Sequence, residues 1–248
     1  MQRESLCRTE RLFGTEAMER LAACRVAVFG IGGVGGYAVE ALARSGIGAL
    51  DLIDSDTVAL SNINRQILAT HATVGLDKVA VAAARIRDIN PACVVRTHKI
   101  FYLPETADQF DLRDYDYIVD AVDTVTAKIA LAANAWKDGV PIISSMGTGN
   151  KTDPTRFRAT DLWKTDTDPL ARVLRRKLRE CGVRRLRVVW SDEPPVHPAG
   201  DVGAPETENG RHPPASNAFV PPVAGMILAG EVVRALIARG KDPSHPIP

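Results

Sequence analysis

The sequence has few cysteines, and their spacing argues against two common uses of thiols. Its 248 residues include four cysteines, none of them in a C-x-x-C pair. The four are Cys7, Cys24, Cys93 and Cys181. This pattern suggests neither a structural zinc site nor a disulfide framework. We interpret these residues as buried or unreactive thiols of a protein in a reducing cytoplasm.

The chain also lacks a strong charge imbalance, a charged-then-apolar leader and a long uninterrupted apolar run. Because its net charge is only +1, any nucleic-acid binding has to come from a local basic patch. The most apolar segment, Val223 to Ile237, is interrupted by Glu231 and Arg234, which favours a core helix over a membrane span. We expect a cytoplasmic protein without an integral membrane span, and peripheral membrane association stays open.

The length and the hydrophobic content of 45% are enough to bury a large core. Apolar strand segments alternate with helical segments, which predicts an α/β, Rossmann-like, doubly wound fold with a mainly parallel sheet. We predict a nucleotide-binding domain over residues 1–155 and a smaller substrate-binding extension over 156–248, with a mobile loop near 192–216. The predicted strands are Val26–Phe29, Ala49–Ile53, Cys93–His98, Tyr115–Val119, Val140–Ser144 and Arg187–Trp190. The predicted helices are Lys78–Ile89, Ala127–Lys137, Pro169–Glu180 and Val223–Arg239.

A glycine-rich turn follows the first predicted strand and opens a helical segment. Its four motif glycines are Gly30, Gly32, Gly33 and Gly35. The first two allow a tight turn, the third lets a phosphate approach bare backbone, and the fourth lets the helix pack close to the strand. The helix N-terminus then presents free N–H groups to anionic oxygens. Asp54 ends the second strand at the spacing of a ribose-binding carboxylate, so the sequence predicts a nucleotide ligand.

Polar residues are dense in the loop after the second strand. The candidate ligand contacts there are Asp54, Asp56, Asn62, Asn64, Arg65 and Gln66. Lys78 opens the next helix, where its ammonium can approach phosphates, and Asp123 follows the fourth strand, where it can hold magnesium. Together these charges favour ATP with Mg²⁺ over a nicotinamide dinucleotide, which needs neither the cations nor a metal-binding carboxylate.

Each of these residues also has an ordinary structural explanation. Glycine turns occur for packing alone, and asparagines commonly bond to nearby backbone groups. An arginine or a lysine at such positions is commonly solvated or paired with a neighbouring acid, and Asp123 could cap the following helix. The functional interpretation therefore depends on the residues occurring together.

In combination, five motifs resemble the ubiquitin-activating-enzyme-like superfamily of ATP-dependent carboxylate adenylators. They are Gly-x-Gly-Gly-Val-Gly, Asp-x-Asp-x-Val, Ser-Asn-x-Asn-Arg-Gln, Gly-x-x-Lys and Asp-Ala-x-Asp, within a match from about Arg8 to Asn150. The resemblance implies that Asp54 holds the ribose and that Asp123 binds magnesium. It also implies that the phosphates are contacted by Asn64, Arg65 and Lys78.

The segment Arg8 to Arg11 resembles the N-terminal arginine motif of the same superfamily. The resemblance implies that Arg11 reaches the phosphates bound by the partner subunit of a homodimer. From this sequence alone, Arg11 would pass as an ordinary surface arginine.

The second half resembles the tRNA threonylcarbamoyladenosine dehydratase branch of the superfamily. The matching segments are Ser145 to Thr155, Thr160 to Thr165 and Asp168 to Ala171. The resemblance implies that ATP activates a carboxylate on a modified adenosine in tRNA and that the ureido group of the same substrate closes a ring. An internal nucleophile needs no enzyme cysteine, which agrees with the sparse thiols. A catalytic role of Cys181 is therefore disfavoured.

A basic run near residue 180 supports a polyanionic partner. It comprises Arg172, Arg175, Arg176, Lys177, Arg179, Arg184, Arg185 and Arg187. A solvated surface helix would give the same pattern. Trp163 and Trp190 could stack on an exposed base, although single tryptophans are more commonly core residues.

Three alternatives to a tRNA dehydratase stay open at this point. The first is an adenylyltransferase that activates the C-terminus of a ubiquitin-like sulfur-carrier protein, which would need a docking groove for a Gly-Gly tail. The others are a nicotinamide-dependent oxidoreductase and a non-catalytic nucleotide sensor, both disfavoured by the charged residues above. The resemblance also implies a cysteine desulfurase or sulfur-acceptor partner, and a monovalent cation at the loop from Ser144 to Asn150 stays open.

Overall fold

The computed structural model describes residues 2–197, 199 and 214–239. Within them a seven-stranded sheet is formed by β1 (Arg25–Phe29), β2 (Ala49–Ile53), β3 (Val94–His98), β4 (Tyr117–Asp120), β5 (Ile142–Ser145), β6 (Phe157–Asp161) and β7 (Arg187–Ser191). The strand order is β3-β2-β1-β4-β5-β7-β6, and each neighbouring pair is parallel except β6 with β7. The predicted α/β fold with a mainly parallel sheet is thereby confirmed.

Helices cover both faces of this sheet, as expected where parallel strands are joined by crossovers. The α-helices of the described residues are α1 (Gln2–Ser5), α2 (Cys7–Phe13), α3 (Thr15–Ala23), α4 (Gly35–Arg44), α5 (Lys78–Ile89), α6 (Val125–Asp138), α7 (Pro169–Glu180) and α8 (Val220–Ala238), and the short α1 and α2 lie off the sheet. The predicted elements match these to within three residues at each end. β6 and the three N-terminal helices are absent from the sequence-based prediction. In β6 only Phe157 is buried, which gives this edge strand a weak hydrophobic signal.

The sheet continues past residue 155 without a break. β7 adds to β5 in parallel and β6 closes that edge, so the residues after 155 share the sheet with those before it. The predicted division into 1–155 and 156–248 therefore marks different parts of one sheet and stays a prediction in functional terms. Of the predicted mobile loop near 192–216, residues 198 and 200–213 lie outside the described residues.

Helix α8 is the one described helix long and apolar enough to pass a length-and-hydropathy test for a membrane span. It packs along α4 so closely that a Cβ at Gly225 would lie 2.3 Å from the carbonyl oxygen of Val34. Its acidic residue, Glu231, is paired with Arg187 of β7 at 2.6 Å and with Arg234. These contacts match the core helix predicted from the sequence.

Two tryptophans and two cysteines belong to the packed interior. Trp190 is 2% exposed, so it is not an exposed platform for a nucleic-acid base, whereas Trp163 packs against the same cluster but is only half-buried, and its stacking role stays a prediction. Cys93 is buried and Cys24 half-buried, and burial raises the pKa of both thiols to about 11. Both thiols are therefore protonated at neutral pH.

Candidate functional site

A cavity of about 820 Å³ lies at the carboxyl ends of the central strands. Gly30, Asp54 and Ala121 immediately follow β1, β2 and β4, whose parallel register brings those ends to one edge of the sheet. Predicted site residues that line this cavity are Gly30, Gly32, Gly33, Asp54, Asp56, Asn62, Arg65, Gln66, Lys78 and Asp123. Gly35, Asn64 and Arg11 are outside its lining.

The glycine turn is set by close backbone approaches at its two ends. Gly30 has φ of +85°, and a Cβ there would lie 2.6 Å from the carbonyl oxygen of Ala121. A Cβ at Gly35 would lie 1.8 Å from the carbonyl oxygen of Gly30, so the turn and the start of α4 require glycine at both positions. Gly32 and Gly33 have looser surroundings, with a Cβ on Gly33 meeting the Arg65 side chain at 3.4 Å.

Asp54 links the glycine turn to the polar loop. One carboxylate oxygen accepts from the Ile31 N–H at 2.6 Å, and the other accepts from the Asp56 N–H at 2.9 Å. Burial raises the pKa of Asp54, while the nearby Lys78 ammonium opposes that shift. Because a carboxylate has further lone pairs, these two bonds leave room for a ribose hydroxyl, and the ribose role stays a prediction.

Lys78 is buried beside two carboxylates. Its Nζ lies 2.6 Å from Asp56 and 3.9 Å from Asp54, at the first residue of α5. The helix N-terminus adds its own partial positive charge at this point. The Lys78 ammonium is therefore positioned by the same loop that carries the predicted nucleotide contacts.

Arg65 is oriented by its own loop. Its guanidinium donates at 2.9 Å to the Ser61 carbonyl and to the Asn64 side-chain oxygen. Asn64 in turn donates to the Ser216 carbonyl at 3.2 Å. The side chain of Asn62 accepts from the Ala59 N–H at 3.1 Å, the local backbone bond that such residues commonly make. In this structure Asn64 thus acts through Arg65 and the segment at Ser216.

Gln66 and Asp123 present polar atoms with few protein partners. Gln66 is 8% exposed, and its side-chain oxygen has no hydrogen-bond partner among the described residues. Asp123 is exposed and accepts only from the neighbouring Thr124 hydroxyl at 3.3 Å among those residues. Within the described ranges no three His, Cys, Asp or Glu side chains converge as a metal site. A single carboxylate suits Mg²⁺, which keeps several waters and binds substrate phosphates.

Arg11 lies on α2, away from the cavity of its own chain. It is exposed, and so are its neighbours Leu12 and Phe13, at 74% and 39%. Helix α2 has no buried residue. Large apolar side chains that are exposed in this way are commonly buried in contacts between chains.

Lys128 is a cavity residue that the sequence analysis missed. It is 2% exposed in the first turn of α6, and its Nζ lies 3.0 Å from the fully buried Asp120. The other oxygen of Asp120 has no partner among the described residues, and neither does the Ser144 hydroxyl beside it on β5. The sequence signal for Lys128 was its position five residues after Asp123. Its orientation towards the sheet edge can be inferred only when the bounds of α6 are known.

The sequence analysis identified the segments on the β5 side of the cavity only by their resemblance to the dehydratase branch, and it assigned no roles to their residues. It includes Ser145 to Lys151 and the N-terminus of α7 at Asp168 to Leu170. Asp168 is 1% exposed and accepts from the Gly147 N–H and the Ala171 N–H, both at 3.0 Å. It therefore ties the 145–151 loop to α7.

The basic face of α7 extends away from this side of the cavity. Arg172, Arg176 and Arg179 are exposed, whereas Arg175 donates to the Thr165 carbonyl at 2.8 Å. Cys181 is exposed at the C-terminal end of α7 and is not part of the cavity lining. The helix thus joins the cavity to a cationic surface, and the geometry gives Cys181 no place among the cavity groups.

The fold and the site define an α/β nucleotide-binding protein, and the model of the ThiF family matches residues 6–246. The chain belongs to the ThiF family. It is 48% identical over 237 residues to the tRNA threonylcarbamoyladenosine dehydratase of Bacillus subtilis strain 168, covering 93% of each protein. Its identity to the Escherichia coli K12 enzyme of the same name is 43% over 201 residues, 78% of this chain and 75% of that one.

Solved structures give the same relationship. The crystal structure of the E. coli tRNA N6-threonylcarbamoyladenosine dehydratase TcdA in complex with AMP has a TM-score of 0.87 and 36% identity to this chain. The complex of the same enzyme with ATP has a TM-score of 0.86. Each comparison covers 96% of both chains. The family predicted from the sequence is thereby confirmed.

Proposed function

We propose that this chain is an ATP-dependent tRNA threonylcarbamoyladenosine dehydratase. The observation that carries the proposal is the continuity of the cavity, which joins the glycine turn and Lys78 to the 145–151 loop and the start of α7. A nucleotide bound at the first region and a tRNA-borne carboxylate bound at the second would meet inside one open cavity. Similarity to enzymes with that name over nearly the whole chain supports the same conclusion.

The proposed chemistry activates a carboxylate by adenylation. A carboxylate oxygen of the threonylcarbamoyl group attacks the α-phosphorus of ATP, and the bond from that phosphorus to pyrophosphate breaks. The ureido group of the same substrate then attacks the activated carbonyl carbon and loses a proton to solvent, and AMP leaves. The net change in the nucleoside is the loss of one water. Because the nucleophile is internal, its effective concentration is high and no enzyme cysteine is needed.

Arg65, Lys78 and Asp123 are the proposed catalytic groups of this chain. Both cations line the cavity and are oriented by protein contacts, so they are available to stabilise charge that would develop on bound phosphates. Asp123 would hold Mg²⁺, which would neutralise phosphate charge when bound. Its exposed carboxylate fits an ion that takes most of its remaining ligands from phosphate and water.

A homodimer is proposed because Arg11 has no route to the cavity of its own chain. Mixing Arg11→Ala with Asp123→Ala tests whether Arg11 acts in the neighbouring site. Each variant alone is expected to be inactive. Random mixing should restore about a quarter of the wild-type rate, because half of the dimers are hybrids with one complete site each. No recovery on mixing, with exchange of subunits verified, would contradict the shared site.

Further parts of the proposal rest on the sequence alone. They are a cysteine desulfurase or sulfur-acceptor partner, a monovalent cation at the loop from Ser144 to Asn150, and a cytoplasmic location with peripheral membrane association. No residue contact described above bears on them, and they stay predictions.

The test of the proposed function follows the modified nucleoside directly. Purified protein is incubated with ATP, Mg²⁺ and tRNA that carries threonylcarbamoyladenosine, and a mild digest is analysed by mass spectrometry. A mass lower by one water, dependent on ATP and lost in Asp123→Ala, is the expected result. Asp108→Ala, at an exposed carboxylate outside the cavity lining, is the matched control. An unchanged nucleoside, in an assay whose positive control works, would favour the carrier-protein adenylyltransferase. That alternative is tested by pyrophosphate exchange with a carrier protein that ends in Gly-Gly.

A further inference from the structure

Three buried lysines line the cavity within the described residues, and one of them differs from the other two. Lys78 and Lys128 each have a carboxylate partner, at 2.6 Å and 3.0 Å. Lys151, 3% exposed, donates instead to the backbone carbonyl of Glu193 at 2.5 Å. No carboxylate of the described chain forms an ion pair with it. Lys151 is thus a buried cation whose protein partner is neutral.

An ammonium in that position is costly unless an anion compensates it. Removing a charge from water without a counter-ion destabilises the charged form. Accordingly, burial lowers the pKa of Lys151, against the opposing charges of Asp168 and Glu193. Both carboxylates are engaged elsewhere, Asp168 by two backbone N–H groups and Glu193 by Thr152 and Asp153. An anionic ligand in the cavity would supply the missing counter-charge.

The backbone around Lys151 is fixed from several directions. The residue before it, Asn150, has φ of +56°, the only positive φ among the described non-glycine residues. Its N–H donates to the Ala215 carbonyl, and its side-chain oxygen accepts from the Ala215 N–H, both at 2.8 Å. Asn217 donates to the Lys151 carbonyl at 2.9 Å. A strained conformation held this firmly is typical of a ligand-binding position.

The position of Lys151 separates it from the predicted phosphate contacts. It follows β5, whereas Lys78 and the polar loop follow β2, and β1 and β4 lie between those strands. It shares its side of the cavity with Gly147 and with Asp168 at the start of α7, which leads to the basic surface. An anion bound at Lys151 would therefore lie at the β5 end of the cavity, beside the loop that is tied to the start of α7.

We propose that Lys151 binds the carboxylate of the modified adenosine and so makes this cavity selective for tRNA carrying the threonylcarbamoyl group. The inference rests on the proposed function and adds to it the residue that recognises the acid. A charge-assisted hydrogen bond from a buried ammonium orients the carboxylate before ATP activates it. A ligand without that carboxylate would leave the cation unpaired, which gives selectivity against unmodified tRNA.

The test compares binding of two tRNAs in the absence of ATP, one with threonylcarbamoyladenosine and one with unmodified adenosine at the same position. Wild-type protein is expected to prefer the modified tRNA by roughly ten- to a hundredfold, the range for one charge-assisted bond. Lys151→Met and Lys151→Gln should lose that preference while binding unmodified tRNA and ATP as before. Lys151→Arg, which keeps the charge, should retain part of it.

The variants separate recognition from structure. Lys151→Gln keeps a donor for the Glu193 carbonyl, so its thermal stability should stay close to that of the wild type even if Lys151→Met is destabilised. Lys137→Gln, at an exposed lysine near the end of α6, controls for loss of one charge. Equal weakening for both tRNAs would assign Lys151 to a backbone phosphate, and weaker ATP binding would assign it to the triphosphate. Either result overturns the inference.

The fate of the proposed function is read separately. Wild-type protein that converts the modified nucleoside but shows no preference between the two tRNAs overturns the role of Lys151 and leaves the dehydratase intact. Wild-type protein that prefers the modified tRNA without converting it supports Lys151 and overturns the dehydratase.

Discussion

The two sides of the cavity are built in different ways. On the nucleotide side, Asp54, Asp56 and Lys78 come from neighbouring stretches of chain and neutralise one another. On the other side, Lys151 is held by residues near 193 and 215 and has a neutral partner. The charged groups beside Lys78 thus come from one stretch of chain, whereas Lys151 is held by segments that are distant from it in the sequence.

The difference has a physical reason in what each side has to bind. A triphosphate carries several charges, so its cations remain effective even when carboxylates orient them beforehand. A single carboxylate offers one charge, and a lysine already paired with an acid would gain little from it. Among the described residues, Lys151 has a carbonyl partner and Lys78 has carboxylate partners, so the two positions suit ligands of different charge.

The largest effect is expected from breaking a pair at the base of the cavity. Lys128→Met should lower the free energy of unfolding by about 3–5 kcal/mol, because it leaves Asp120 buried without a counter-charge. Urea unfolding measures this loss. Lys137→Met in the same helix is exposed and should change stability by less than about 0.5 kcal/mol. Unchanged stability in Lys128→Met would show that the ion pair with Asp120 does not stabilise the fold.

A loss of similar size in activity is expected on the nucleotide side. Arg65→Ala and Asp123→Ala should each lower kcat by roughly 10²- to 10³-fold, since each removes a group directed at developing phosphate charge. Neither side chain is buried, so unfolding should be nearly unchanged. Lys78→Ala should lose activity to the same extent and some stability, because it is buried between carboxylates. Single-turnover formation of the dehydrated nucleoside is the measurement, and near-normal rates would remove these residues from the active site.

A smaller, pH-dependent effect on stability is expected at Glu193, whose carboxylate binds the backbone just after Lys151. Hydrogen bonds from Thr152 and Asp153 hold the pKa of Glu193 below its ordinary value, against burial. Since the pKa is lower in the folded protein than in the unfolded chain, the stabilisation is present above about pH 4.3 and is lost as the pH falls further. Glu193→Gln should cost about 1–3 kcal/mol at pH 7. The difference in stability between the two proteins should shrink as the pH falls below this range, and a constant difference would contradict this origin.

The smallest effect per residue is expected on the basic face of α7. Replacing Arg172, Arg176 and Arg179 with Gln should weaken binding of modified and unmodified tRNA alike. The slope of the logarithm of the binding constant against the logarithm of the salt concentration should become less steep by about one unit for each phosphate that the protein no longer neutralises. This result would contrast with the selective effect expected at Lys151. Arg113→Gln, at an exposed arginine paired with Asp111, is the control. An unchanged slope would make α7 a solvated surface helix.

Much of the nucleotide side could be predicted because its signals are local in sequence. Short sequence segments are enough to predict three of its backbone features, which are the turn at Gly30, the strand end at Asp54 and the helix start at Lys78. Asn64 shows the limit of that approach, since its contact with the Ser216 carbonyl lies 152 positions away in the chain. Lys128 was missed for a related reason: a lysine in a helix reads as exposed until the sheet beneath it is known.

The sequence by itself determined the α/β class, the mainly parallel character of the sheet and the family, because periodicity and short motifs record backbone conformation directly. Only the tertiary structure decided that β6 and β7 extend the same sheet, that Trp190 is a core residue and that the buried Lys151 ammonium donates to a backbone carbonyl and forms no ion pair with a carboxylate of the described residues. Burial and charge pairing depend on which distant segments meet, and that is settled only when the whole chain packs.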